Sequence, residues 1–231
     1  MKRIDMLVEL PQATYEKFDA YTSNGQSALL QEVKKVIEKT YSNTKLKADG
    51  QIISISFSDG MDFEVLPAFI NDDGSSYTFA NSNDGGSWKI TDPRAEIAAI
   101  QTMHNQCNYN LKRLCKMARA WKYYNDVDIS GILLDILCYN FISSWEYSDK
   151  SYLYYYWMTR DFLKYVAEQP ISQWRWKVMG SNRYITCLGS FQSKANDSYK
   201  KALEAIADET ENPSRANTKW REIYGSRFPI L

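Results

Sequence analysis

The sequence predicts an α+β fold, a small mixed sheet lobe followed by a helical lobe, and three observations carry that reading. Up to about Thr91, short runs of alternating apolar and polar residues sit between turn signals, the pattern of half-buried strands. One helix-period stretch, about Gln26 to Tyr41, interrupts them. Beyond Asp92-Pro93 the apolar residues recur at helical spacing almost to the last residue.

The opening strand covers Ile4–Leu10 and places Asp5 and Glu9 on one face. A loop around Pro11 and Tyr21 leads to the first helix, whose stripe is Leu29, Leu30, Val33, Val36 and Ile37. A hairpin follows, Ile52–Phe57 and Met61–Phe69, and Asp59-Gly60 predicts a type I′ turn with φ > 0 at both residues. Its second strand turns Met61, Phe63 and Val65 to one side and Asp62, Glu64 and Leu66 to the other. Ser76–Phe79 reads as a short strand, and Asn81 to Ser87 as a polar loop closed by Trp88. Asp92 at an N-cap, Pro93 at the first helical position and Glu96 in the first turn then open the helical part.

Helices are predicted over Arg94–Cys107, Tyr109–Tyr124, Ser130–Ser143, Tyr152–Glu168, Ala195–Asp208 and Ser214–Tyr224, with Gly225 ending the last. The domains expected are residues 1–91, the sheet lobe, and 92–231, the helical lobe.

Composition closes several routes. With 28 Lys+Arg against 28 Asp+Glu the formal charge is zero, so no grip on duplex nucleic acid along its length is expected. The cysteines, Cys107, Cys115, Cys138 and Cys187, have no zinc-ligand spacing, and the three in apolar helical contexts read as buried thiols. No run is long and apolar enough for a membrane span, and Met1-Lys2-Arg3 leads into a strand, so a cytoplasmic protein is expected. The single histidine, His104, lies in an apolar helical run and reads as structural, which leaves no His-based nucleophile system. Neither a P-loop nor a dinucleotide fingerprint is present.

What remains is acidic. If the opening strand and the hairpin are neighbours, carboxylates converge on one patch of sheet, the arrangement that holds a hard cation such as Mg²⁺. The helix Tyr109–Tyr124 carries a basic stripe of Lys112, Lys116 and Arg119, which by itself is read as a solvated face.

The hairpin with FEVLPAF, the loop ending in SWKITDP, the helix KRLCKMARAWK and the closing AIADETENPSRANTKWREIYGSRFP resemble the CD-NTases. These are bacterial cGAS/DncV-like nucleotidyltransferases of the SMODS type, relatives of oligoadenylate synthases. The resemblance runs from Ile4 to Pro229. It implies a polymerase-β-like nucleotidyltransferase sheet lobe with a helical lobe as in oligoadenylate synthases. It also implies an enzyme that makes cyclic di- or trinucleotides from NTPs, ATP or GTP, to switch on an antiphage (CBASS) effector. The implied cofactor is Mg²⁺ or Mn²⁺, two ions held by three carboxylates.

Carried onto this chain, the resemblance makes Asp5 and Glu64 the catalytic, metal-binding acids, with Asp62 the further acid on Glu64's strand face. Arg119, Ser130 and Lys116 become the nucleotide-phosphate ligands. Two departures stand out. The family's first acid falls on Arg3, and the Gly-Ser helix that precedes the strand in relatives has no counterpart here. Either the start is truncated or the chain is a degenerate form that binds nucleotide or scaffolds without catalysis. A truncated start would leave an exposed sheet edge prone to association. Base-stacking residues are sought among Tyr139, Trp145, Tyr147, Tyr152 to Trp157 and Trp174-Arg175-Trp176, though most aromatics at helical spacing belong to the core.

Overall fold

The computed structural model describes residues 2–181, 183–186 and 189–230, apart from the side chains of Lys2 and Arg227. Met1 and Cys187 therefore lie outside the described residues. The chain divides into two compact units, Met1–Arg94 and Ala95–Leu231.

In the first unit the strands are β1 (Lys2–Glu9), β2 (Lys45–Asp49), β3 (Ile52–Ser56), β4 (Met61–Ile70), β5 (Tyr77–Asn81) and β6 (Ser87–Thr91). They form one sheet in the order β2-β3-β4-β5-β6, and β1 runs parallel to β4. Two helices, α1 (Gln12–Asp19) and α2 (Gly25–Thr40), cover one face. There Phe18, Leu29 and Leu30 meet Ile53, Ile55, Val65, Phe69 and Ala80. The opposite face has a smaller apolar cluster, Ala68, Tyr77 and Phe79 with Leu7, Leu66 and Ile70.

Asn24 caps α2, accepting from Ser27 N at 2.8 Å while its own amide donates to Ser82 O at 2.8 Å. One helix start is thus tied to the sheet. Gly25 lets α1 and α2 meet, since a Cβ there would stand 2.0 Å from the carbonyl oxygen of Phe18. Val36, placed on the buried stripe by spacing, is 58 % exposed; the stripe that packs is Leu29, Leu30, Val33 and Ile37.

Several sequence expectations are corrected. The segment after Pro11 is helical because Phe18 is buried beneath the sheet, a tertiary contact that its weak local pattern does not announce. Lys45–Asp49 is an edge strand, and Trp88 lies within a strand paired to β5. The hairpin turn is also different. Gly60 has φ 82°, but Asp59 is not among the residues with positive φ. Gly60 N donates to Phe57 O at 3.1 Å, and the Asp59 carboxylate accepts from Met61 N at 3.0 Å. This is the longer hairpin connection in which a left-handed glycine follows the turn.

The second unit contains most of α3 (Pro93–Gln106), then α4 (Asn110–Tyr124), α5 (Gly131–Ser144), α6 (Tyr155–Ala167), α7 (Gln192–Asp208) and α8 (Pro213–Tyr224). A two-stranded ribbon, β7 (Arg175–Lys177) and β8 (Tyr184–Thr186), stands in a region expected to be free of strands. The α5 helix is apolar on all sides and buries Leu133, Leu134, Ile136, Leu137, Cys138, Phe141 and Ile142, as the centre of a bundle must. Around it pack Leu111, Leu114 and Trp121 of α4, Phe162 and Val166 of α6, the alanines of α7, and Trp220 and Ile223 of α8. Inside this core the Trp121 indole donates to Ser198 Oγ at 2.9 Å. Gly225 ends α8 at φ 77°. Of the four cysteines, Cys107 and Cys138 are buried and Cys115 is half-buried, all as free thiols.

Candidate active site

β1 and β4 pair in parallel with Arg3 beside Asp62, Asp5 beside Glu64, and Leu7 beside Leu66. The same β4 residues pair on with β3, where Glu64 faces Ser54 and Asp62 faces Ser56, and Ser54 pairs with Lys47 of β2. Side chains directly opposed across a ladder share a face. One row across the sheet therefore reads Lys47, Ser54, Glu64, Asp5, and the adjacent row ends in Asp62 and Arg3. This polar patch belongs to the face opposite α1 and α2.

The Arg3 guanidinium joins the two acids. Its Nε lies 3.2 Å from Asp5 Oδ1, and its Nη1 donates to Glu64 Oε1 at 3.2 Å. Asp5 is 69 % exposed at its side chain and Glu64 29 %, so these groups form an open polar surface. Among the described residues no group of three or more His, Cys, Asp or Glu side chains converges closely enough to hold a metal ion. The acids Asp5 and Glu64 are brought together as the sequence pattern anticipates. Asp62 stands in the register position of Arg3, one row away.

In the second unit Arg119 of α4 donates through Nη2 to Asp135 Oδ2 of α5 at 2.5 Å. Burial acts to lower the pKa of this guanidinium, but the hydrogen bond and charge of Asp135 outweigh it, and the result is raised. The other oxygen, Asp135 Oδ1, is buried with no hydrogen-bond partner among the described residues. Ser130 caps α5, its Oγ accepting from Leu133 N at 3.2 Å. Lys116 and Arg119 line a cavity of about 490 Å³ together with Tyr123, Tyr124 and Gly225. This is a cationic hollow with aromatic walls, suited to an anionic ligand.

The aromatic candidates separate by burial. Trp176 is a core residue at 4 % exposure, Trp174 is exposed, and Trp145 donates its indole N–H to Asp161 Oδ2 at 3.0 Å. His104 is no catalytic base in waiting: its Nδ1 accepts from Lys112 N at 3.3 Å and its ring packs edge-on to Tyr109. Asp135 was not singled out by the sequence. Its place at i+5 from Ser130 on an apolar helix is the signal that could have found it, because an acid on such a helix requires a charged partner.

No curated protein matches the sequence. Residues 1–104 match the family described as Second Messenger Oligonucleotide or Dinucleotide Synthetase domain. Among solved structures, the chain is similar to Vibrio cholerae DncV cyclic AMP-GMP synthase in complex with a linear intermediate. The TM-score is 0.73 at 14 % identity, over 98 % of this chain and 64 % of that one. It is likewise similar to E. coli MS115-1 CdnC with ATP, with a TM-score of 0.64 at 16 % identity, over 99 % of this chain and 79 % of that one. A further CdnC structure, in complex with HORMA-deltaN, matches at 15 % identity and a TM-score of 0.64 over 99 % of this chain and 78 % of that one. The chain thus spans a little under two thirds of the length of the DncV chain it matches. Residues 1–104 thus match the synthetase domain family, and over nearly its whole length the chain shares the fold of DncV and CdnC.

Proposed function

We propose that this chain is the nucleotide-processing part of a cyclic-oligonucleotide synthase. Such an enzyme joins NTPs, ATP or GTP among them, into cyclic di- or trinucleotides for CBASS-type antiphage signalling in the cytoplasm, and a cyclic-nucleotide effector is its downstream partner. The observation that carries this reading is the direct pairing of Asp5 with Glu64 on one sheet face, inside the segment that matches the synthetase family. In the transfer a ribose hydroxyl loses its proton and its oxygen bonds to the α-phosphorus of an NTP, as the bond to pyrophosphate breaks. Asp5 and Glu64 are the carboxylates for the hydroxyl end. Arg119, Lys116 and Ser130 are the triphosphate ligands.

Bound Mg²⁺ or Mn²⁺ would supply charge neutralisation for such a transfer. The residues do not fit that ion as they stand, because Arg3 pairs with both carboxylates and no third acid joins them among the described residues. That observation favours a second reading, a nucleotide-binding or scaffolding protein of the same fold without transfer. No helix among the described residues is long and apolar enough to cross a membrane.

Incubating the protein with all four NTPs and Mg²⁺ or Mn²⁺ tests both. A phosphatase-resistant product establishes the synthase. ATP or GTP binding without product establishes the silent binder, and neither binding nor product refutes both.

A further inference from the structure

A cavity of about 680 Å³ in the helical unit adjoins the Arg119 hollow, sharing Lys116, Ala120 and Tyr224 with it but not Arg119. On α4, Arg113, Lys116, Met117 and Ala120 line it at i, i+3, i+4 and i+7, one helix face. Arg119, by contrast, is turned to Asp135 on α5. The far wall is built of rings. Tyr156 stacks on Trp220 with centroids 4.9 Å apart and planes 14° apart, and Tyr224 stacks on Phe228 at 6.1 Å and 11°. Contacts of this kind hold the wall rigid before any ligand arrives.

The hydroxyls around the cavity are already committed. Thr159 Oγ1 donates to Tyr155 O at 2.9 Å and lies 2.8 Å from the Tyr224 hydroxyl, while Tyr155 OH donates to Asn110 Oδ1 at 3.0 Å. Burial pushes the Tyr224 phenol well above its ordinary range, so it stays neutral. The uncommitted polarity is ionic. Arg113 uses one nitrogen, Nη1, on Asn108 O and Asn110 Oδ1, and Lys116 has no partner among the described residues. Lys116 borders the 490 Å³ hollow at one end, and Glu209 borders a smaller cavity beside Pro213 at the other. The cavity is therefore cationic at one end, aromatic along its length, and acidic at the far end.

We infer that this cavity is a ligand site for a small planar aromatic anion, with the ring system against the Tyr156–Trp220 and Tyr224–Phe228 wall and the anionic group on Arg113 and Lys116. Its size lies within the ~300–1,000 Å³ of small-molecule pockets, and a few placed charges among apolar walls are what such pockets use for orientation. The inference does not rest on nucleotide transfer. A molecule bound here would share Lys116 with the Arg119 hollow and leave Arg119 itself free.

The test uses 8-anilinonaphthalene-1-sulfonate, an aromatic anion, with its uncharged relative N-phenyl-1-naphthylamine as contrast, on folded full chain checked by circular dichroism. Saturable single-site binding is expected. Arg113→Ala should weaken it about tenfold, the worth of one charge-assisted hydrogen bond. Ala120→Trp, which fills the space without removing a charge, should abolish it, and Lys112→Ala, outside the cavity, should leave it intact. Arg119→Ala, likewise outside the cavity, should not disturb it. Equal binding of the uncharged relative, indifference to Arg113→Ala or Ala120→Trp, or loss of binding in Arg119→Ala overturns the inference.

Discussion

Asp5 and Glu64 stand directly opposite each other across the parallel β1–β4 ladder, and the guanidinium of Arg3 reaches both. Two strands far apart in sequence are needed to assemble this pair, and the cation that bridges it comes from one of those strands. The arrangement has the geometry of an acid pair and the charge balance of an ion-pair cluster.

Removing Arg3 separates those two aspects. The groups are largely exposed, and exposed ion pairs are worth about 0–1 kcal/mol. Arg3→Ala should therefore change the urea midpoint little at physiological salt, and any loss should shrink as salt rises. A large, salt-independent loss would show that Arg3 holds up the sheet rather than balancing charge.

Ser130 has a local role that is measurable apart from any ligand. Its Oγ caps α5, and losing a cap costs about 1 kcal/mol. Ser130→Ala should lower stability by about that much. If the hydroxyl also binds triphosphate, ATP affinity falls as well, whereas Ser130→Thr keeps both. Calorimetric ATP titration alongside urea unfolding distinguishes a cap from a ligand.

Trp121 ties α4 to α7 through its indole bond to Ser198 in a closed core. Trp121→Phe leaves the serine hydroxyl without that donor and opens a small void, which should cost about 1–3 kcal/mol. Equilibrium denaturation measures it, and an unchanged midpoint would mean the core repacks around the smaller ring.

His104 should titrate below its ordinary 6.5, because burial disfavours the imidazolium and the charges of Lys112 and Arg113 add to that. The unfolded chain then takes up the proton first on acidification. The contribution is complete above pH 6.5 and is lost as pH falls through the lowered folded value. Ring-proton NMR reads the shift directly, and a pKa at or above 6.5 contradicts it.

Legibility in the sequence followed how local each signal was. The α2 and α5 helices were readable because caps and apolar periods lie within a few residues. The acids of β1 and β4 were readable as faces, since strand alternation fixes them. Their pairing was not, because Arg3 and Glu64 are 61 positions apart and nothing local sets a parallel register. The α1 helix depends on burying Phe18, and β2, with its Lys47–Asp49 ion pair, is a strand only because β3 offers it an edge. Asp59-Gly60 marked the hairpin correctly but not the turn's geometry, which the Asp59 carboxylate helps to set by accepting from Met61 N. Asp135 stands out in the sequence as an acid on an apolar helix, but its partner Arg119 is set by the packing of α4 on α5.

The sharpest trial of the acid pair is a Mn²⁺ titration followed by electron paramagnetic resonance. The account predicts weak binding by the wild-type chain, affinity raised about tenfold or more in Arg3→Asp, and that gain lost when Glu64→Ala is added. Equal affinity in wild type and Arg3→Asp, or a gain that survives Glu64→Ala, would contradict the assignment of Asp5 and Glu64 as one site.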